Sequence, residues 1–125
     1  MRKIKVLIAD DHPHIFSIID MSVNKSKYEL FYAKNGAEAL KKVKEVSPDI
    51  IVMDIQMPEM DGYTASMKLK EDPETSKIPI LILTIRGEKI YRTVSQTMGA
   101  VFHMTKPFDP DELEKKIDSI LTSKL

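Results

Sequence analysis

Residues 50–54 read Ile50-Ile51-Val52-Met53-Asp54, four apolar side chains in succession closed by a carboxylate. A short, uniformly apolar and largely β-branched run reads as a strand buried on both faces, as the strands of a parallel sheet are. Behind it, Ile55-Gln56-Met57-Pro58-Glu59-Met60-Asp61-Gly62 carries both Pro and Gly and reads as a loop. An acid at the carboxyl end of a buried parallel strand stands where open α/β sheets gather their chemistry. Taken alone, Asp54 is equally well explained as a strand terminator facing water, so the other strand ends decide.

Working outward, Val6-Leu7-Ile8-Ala9 is a second buried run, and it stops at Asp10-Asp11. Pro13 then suits a helix start, where a missing N–H costs nothing. Ile15, Ile18, Ile19 and Val23 follow at helical spacing. Tyr28 to Ala33 reads as a strand. Asn35-Gly36 breaks it, and Ala37, Ala39, Leu40, Val43 and Val46 mark an amphipathic helix ending before Ser47-Pro48. Beyond the central strand, Tyr63 to Lys70 reads as a short helix with Ala65 and Leu69 inward. Asp72-Pro73-Glu74 is a turn. Ile80-Leu81-Ile82-Leu83 is a further buried strand ending at Thr84. Lys89 to Met98 is a weaker helix stopped by Gly99, and Val101 to Met104 is a last strand before Thr105-Lys106-Pro107-Phe108. Asp109 as N-cap, Pro110 at the first position and Asp111 and Glu112 in the first turn open a final helix. Its buried stripe is Leu113, Ile117, Ile120 and Leu121.

Strand and helix thus alternate five times with short connections. That pattern predicts one α/β domain over residues 1–125, a doubly wound (βα)5 unit with a five-stranded parallel sheet and helices on both faces. A length of 125 residues suits a single domain with a real core. Nineteen basic residues balance nineteen acidic ones, so no overall field favours nucleic acid or an anionic membrane. The chain has no cysteine, which excludes disulfides and thiol catalysis and fits the cytoplasm. The apolar run near the N-terminus stops at two aspartates and reads as a strand rather than a signal peptide. No apolar segment is long enough to span a bilayer.

All carboxyl ends of a parallel sheet lie along one edge, so Asp10, Asp11, Asp54, Thr84 and Lys106 are expected there together. Individually, Asp11 could cap the first helix, Thr84 could cap the next, and Lys106 could be a solvated loop residue. Three gathered carboxylates pose an energetic problem, because each like-charge pair at ~4 Å costs about 4 kcal/mol at an effective dielectric near 20. Such a cluster takes up protons, stays apart or binds a cation. Hard carboxylate oxygens favour Mg²⁺ over zinc or copper. A metal, an ammonium and a hydroxyl donor together suit a transferring phosphoryl group.

The chain resembles a response-regulator receiver domain over its whole length. The resemblance rests on Asp10-Asp11, on Asp54 in Met53-Asp54-Ile55-Gln56-Met57-Pro58 with Asp61-Gly62 after it, on Thr84, and on Lys106-Pro107-Phe108. It implies strand order 2-1-3-4-5. It implies Asp54 as the nucleophile that takes a phosphoryl group from a phosphohistidine, with Asp11, Asp54 and the backbone carbonyl of Gln56 on Mg²⁺ and Asp10 acting mainly through water. Lys106 would pair with the phosphoryl group, Thr84 would hydrogen-bond it, and Lys106-Pro107 would be a cis peptide. The partners implied are a sensor histidine kinase or a histidine phosphotransfer protein, and a downstream target bound in trans, with no direct nucleic-acid or membrane contact. The target face would comprise the helix over Lys89–Met98, the last strand and the last helix. The protein would not be a turnover enzyme, and no output domain is expected after the last helix.

Two positions depart from the family's usual pattern, His103 and Ile85, and two more, Gln56 and Arg86, vary among relatives. His103 stands where a switch aromatic is expected; swinging toward Thr84, it would make the switch pH-sensitive near neutrality. Ile85 replaces a small residue and is expected to crowd the site and slow exchange with small donors and water. Gln56 and Arg86 flank the phosphoryl position and could modulate it. His12 and His14 are expected to decorate the first helix rather than bind metal, and Met57 and Met60 to offer apolar surface to a partner. Rival readings are a flavodoxin-like cofactor binder, which Asp10-Asp11-His12-Pro13 disfavours, a Mg²⁺-dependent phosphohydrolase with an Asp nucleophile, and a degenerate receiver that only docks.

Overall fold

The computed structural model describes residues 2–85 and 101–123, with the backbone alone considered at 84, 85, 101 and 123. The expected helix over Lys89–Met98, its stop at Gly99, and Arg86 lie outside the described residues. The elements are β1 (Ile4–Ala9), α1 (Pro13–Ser22), β2 (Tyr28–Ala33), α2 (Gly36–Val46), β3 (Ile50–Asp54), α3 (Gly62–Glu71), β4 (Ile80–Ile85), β5 (Val101–Lys106) and a C-terminal helix (Pro110–Ser123). All strand pairs are parallel and the sheet order is β2-β1-β3-β4-β5. The fold class and strand order expected from sequence are those observed.

Alternation along the strands divides the core between two faces. Val6, Ile8, Ile50, Val52, Leu81 and Leu83 meet Ile19 of α1 and Leu113, Ile117 and Ile120 of the C-terminal helix. Leu7, Ile51, Met53, Ile80 and Ile82 meet Ala39 and Val43 of α2 and Ala65 and Leu69 of α3. Every residue of β3 is buried, which makes this strand the centre of the sheet in packing as well as in order. No helix among the described residues is long and apolar enough to cross a membrane.

The helix starts follow local chemistry. Asn35 caps α2 by accepting from the Glu38 N–H, and Asp61 caps α3 by accepting from the Thr64 N–H. At the C-terminal helix, Glu112 reaches back to the Asp109 N–H, half of a capping box. Some expectations need correction. Ile18 is half exposed rather than inward, because α1 buries mainly Ile19 against the sheet. Met57 is buried and Met60 packs beside it, since the loop folds back over the α2 and α3 side of the sheet; neither is a free docking surface. Strands β4 and β5 run further than expected, through Ile85 and Lys106, because their backbones pair as far as Thr84 with Thr105 and Ile85 with Lys106.

Gly62 is the tightest joint between fold and site. Its N–H donates to the Ile55 carbonyl at 2.8 Å, turning the chain from the end of β3 into α3. A Cβ there would fall inside contact distance of the Asp54 carbonyl oxygen and lie 3.0 Å from the Asp54 carbonyl carbon. Both are backbone atoms, so no rotamer change relieves the clash. Gly62→Ala is therefore expected to lower stability by about 1–3 kcal/mol, read as a lower urea midpoint; an unchanged midpoint would contradict this packing.

Candidate phosphoacceptor site

Asp10 follows β1 directly and Asp54 is the last residue of the neighbouring β3, so the sheet brings two acids to one edge. Both are buried, Asp10 at 0% and Asp54 at 7% exposure. The Asp10 backbone is fixed from two sides: its N–H donates to the Ala33 carbonyl at 3.0 Å, and the Tyr32 hydroxyl donates to its carbonyl at 2.6 Å. Lys106, at the end of β5, lays its Nζ 3.4 Å from Asp10 Oδ2 and 3.2 Å from Asp54 Oδ1. One ammonium thus bridges two carboxylates.

The balance at Asp54 can be followed through its pKa, which lies above the ordinary aspartate value. Burial is the main cause and the Asp10 charge adds to it, while Lys106 opposes both. Burial outweighs the nearby cation.

Asp11 stands half-buried beside this pair. Its Oδ1 has no hydrogen bond, although His12 Nδ1 lies 3.1 Å away. Asp11 does not cap α1; the N-cap is His12, whose ring makes no capping bond either. Instead Nδ1 of His12 turns back to within 3.0 Å of Asp10 Oδ1. One ligand atom from each of Asp10, Asp11, His12 and Asp54 lies within 4.8 Å of all the others. Oxygens of three acids, one of them buried without a hydrogen bond, form a donor set that fits a hard divalent cation. The expected acids are gathered as the sequence indicated. Membership of His12 was missed, because nothing in a linear pattern tells which way an N-cap ring turns.

The other expected residues divide. Gln56 is exposed, two residues past the end of β3. The Thr84 and Ile85 backbones lie in β4, but their side chains, like Arg86, fall outside the described residues. Lys106-Pro107 is cis, as expected. Beside Lys106 runs an apolar groove of about 420 Å³, walled by Ile15, Ile18 and Ile19 of α1 and by Pro107, Phe108 and Pro110.

A family model for the response regulator receiver domain matches residues 6–118. The chain belongs to the response regulator receiver family. Among its relatives are the alkaline phosphatase synthesis transcriptional regulatory protein PhoP of Bacillus subtilis, 34% identical over 94% of this chain and 48% of PhoP, and PilH of Pseudomonas aeruginosa, 32% identical over 94% of this chain and 97% of PilH. The chain thus spans about half the length of PhoP and nearly all of PilH. The structure of chemotaxis protein CheY4 of Vibrio cholerae superposes with a TM-score of 0.87 at 28% identity, covering 95% of this chain and 99% of that one. Receiver domains work in two-component signalling, and the acidic cluster of Asp10, Asp11 and Asp54 is consistent with the Mg²⁺ such domains bind.

His103 of this receiver lies on β5, partly buried, with its ring 6.4 Å from that of Tyr63 on α3. Its pKa lies below the ordinary histidine value, chiefly through burial, with Lys116 adding to the effect. The pH sensitivity expected near neutrality therefore moves toward acid.

Two outcomes follow from these electrostatics. In metal-free buffer at neutral pH, Asp54→Asn should stabilise the fold, read as a higher thermal midpoint. A carboxylate whose folded pKa is raised destabilises the fold when ionised, so the gain should fade as pH falls through the folded Asp54 pKa. A lower midpoint for Asp54→Asn at neutral pH would contradict this balance. By proton-detected NMR, His103 should titrate below the ordinary histidine range, its contribution to stability complete above that range and lost as pH falls through the depressed pKa. A midpoint at or above the ordinary value would contradict the burial assigned to the ring.

Proposed function

We propose that this receiver, a single domain over residues 1–125, accepts a phosphoryl group on Asp54 from a sensor histidine kinase or a histidine phosphotransfer protein. The observation that carries the reading is the shared Lys106 ammonium between buried Asp10 and Asp54, with Asp11 at their side. A carboxylate oxygen of Asp54 attacks phosphorus. The new P–O bond forms as the P–N bond to the donor imidazole breaks; the imidazole leaves with the electron pair and takes a proton from water.

Asp11, Asp54 and the Gln56 carbonyl would hold Mg²⁺, with Asp10 acting mainly through water. Bound there, Mg²⁺ supplies positive charge to the phosphoryl oxygens. Lys106 shifts from the Asp54 carboxylate to a phosphoryl oxygen, and the Thr84 hydroxyl donates to another. The apolar groove beside Lys106 gives a donor protein surface to bury next to the reacting atoms. Loss of the phosphoryl group runs by attack of water on phosphorus, releasing inorganic phosphate and restoring the carboxylate. Gln56, Ile85 and Arg86 modulate that step. This is self-catalysed modification rather than enzymatic turnover.

The signal leaves by a change at the face that includes β5 and the C-terminal helix, with His103 as the switch residue and a target bound in trans. A shift of a few kcal/mol between two conformations suffices. The proposed location is the cytoplasm.

Incubation with acetyl phosphate and Mg²⁺ followed by intact mass measurement tests the reading. The expected result is one added phosphoryl group in the native chain and none in Asp54→Asn. An adduct that survives Asp54→Asn, or no adduct in the native chain, would refute it.

A further inference from the structure

His12 is at an unusual post for its side chain. It is the N-cap of α1, where a polar side chain ordinarily accepts from the first turn, yet its ring makes no capping bond. Pro13 follows at the first helical position, so one N–H that would need a partner is missing. The His12 N–H donates to Asp10 Oδ1 at 2.9 Å, closing a tight turn that anchors the residue over the acids. From there Nδ1 lies 3.0 Å from Asp10 Oδ1 and 3.1 Å from Asp11 Oδ1.

Those two separations carry chemical meaning. Ligand atoms at right angles around an octahedral ion with bonds of about 2.1 Å are about 3.0 Å from one another. His12 Nδ1 stands from Asp11 Oδ1 at the spacing of adjacent ligands with no hydrogen bond between them, while its 3.0 Å contact with Asp10 Oδ1 is a hydrogen bond, in keeping with Asp10 acting mainly through water. Asp54 supplies a further oxygen within the same 4.8 Å cluster, and the buried Asp11 Oδ1 has no hydrogen bond to give up. The His14 ring stands edge-on to His12 with centroids 5.6 Å apart, outside that cluster.

We infer that His12 Nδ1 is a ligand of the divalent ion at this site, making it a mixed nitrogen and oxygen site that selects Mn²⁺ or another first-row transition ion over Mg²⁺. The inference rests on the proposed receiver reading and deepens it. Mg²⁺ takes oxygen ligands almost without exception, whereas imidazole strengthens binding of transition ions along the series from Mn²⁺ to Cu²⁺. On binding, Nδ1 gives its lone pair to the metal and the ring proton resides on Nε2. Without metal, the same nitrogen lies between two carboxylates and lessens their repulsion.

The test uses the full chain at one fixed pH, with Mn²⁺ and Mg²⁺ as the probes. Pulsed EPR of bound Mn²⁺ should show coupling to a directly bound nitrogen in the native chain and in His14→Ala, and none in His12→Ala. Calorimetry should show His12→Ala losing about tenfold or more in Mn²⁺ affinity while Mg²⁺ affinity changes less than about threefold. Because the ring is exposed and makes no capping bond, the variant is expected to fold; unchanged circular dichroism checks this. Absence of nitrogen coupling in the native chain, or equal losses for both ions in His12→Ala, would overturn the inference. If either occurs while Mg²⁺ still binds and Asp54 still takes a phosphoryl group, the receiver reading stands without it. If no divalent ion binds at all, both fall.

Discussion

Everything in this domain turns on one lysine shared between two buried carboxylates. Asp10 directly follows β1 and Asp54 ends the neighbouring β3, so the sheet itself forces them together. Lys106 comes from β5, two strand positions from β3, with β4 between. Adjacent strands are about 4.8 Å apart, so a side chain crossing from β5 to β3 must span roughly 10 Å of sheet. A long flexible ammonium manages this only at the carboxyl edge of the sheet, and Lys106 is the last residue of β5, opposite Ile85, the last of β4. Strand order, strand length and the choice of lysine are one solution to one charge problem.

That solution leaves a remainder. One positive charge does not neutralise Asp10, Asp11 and Asp54, and burial keeps the Asp54 pKa raised. A fold optimised only for stability would not place three acids here. The surrounding devices hold the strained arrangement still: the Tyr32 hydroxyl on the Asp10 carbonyl, the close passage of Gly62 over the end of β3, and Glu59 at φ 68, whose carboxylate accepts from the Asn35 side chain. Groups that would ordinarily stabilise local structure serve to keep the acids in place. Unspent electrostatic strain of this kind is what a cation or a phosphoryl group can relieve.

Much of this was legible in the linear sequence because the signals were local and redundant. Four-residue apolar runs marked the strands, and acids or a lysine stood at their ends. What was not legible depended on direction rather than pattern. Ile18 matches the helical spacing of Ile15 and Ile19, yet the sheet lies toward Ile19 and leaves Ile18 half exposed. Met57 sits among loop residues, yet the loop folds back and buries it beside α2 and α3. His12 reads as a helix-start residue, and it is one; only the turn made by its N–H to Asp10 sends the ring toward the acids. The extra residues of β4 and β5 come from pairing between strands distant in sequence, which no window of either strand contains.

The central claim is that Asp54, and neither of its two neighbouring aspartates, carries the phosphoryl group. Borohydride reduces an acyl phosphate to an alcohol and so writes the modified aspartate into the chain as homoserine. Peptide mapping of the phosphorylated and reduced protein is expected to find homoserine at position 54 alone; homoserine at position 10 or 11, or at none of the three, would contradict the account.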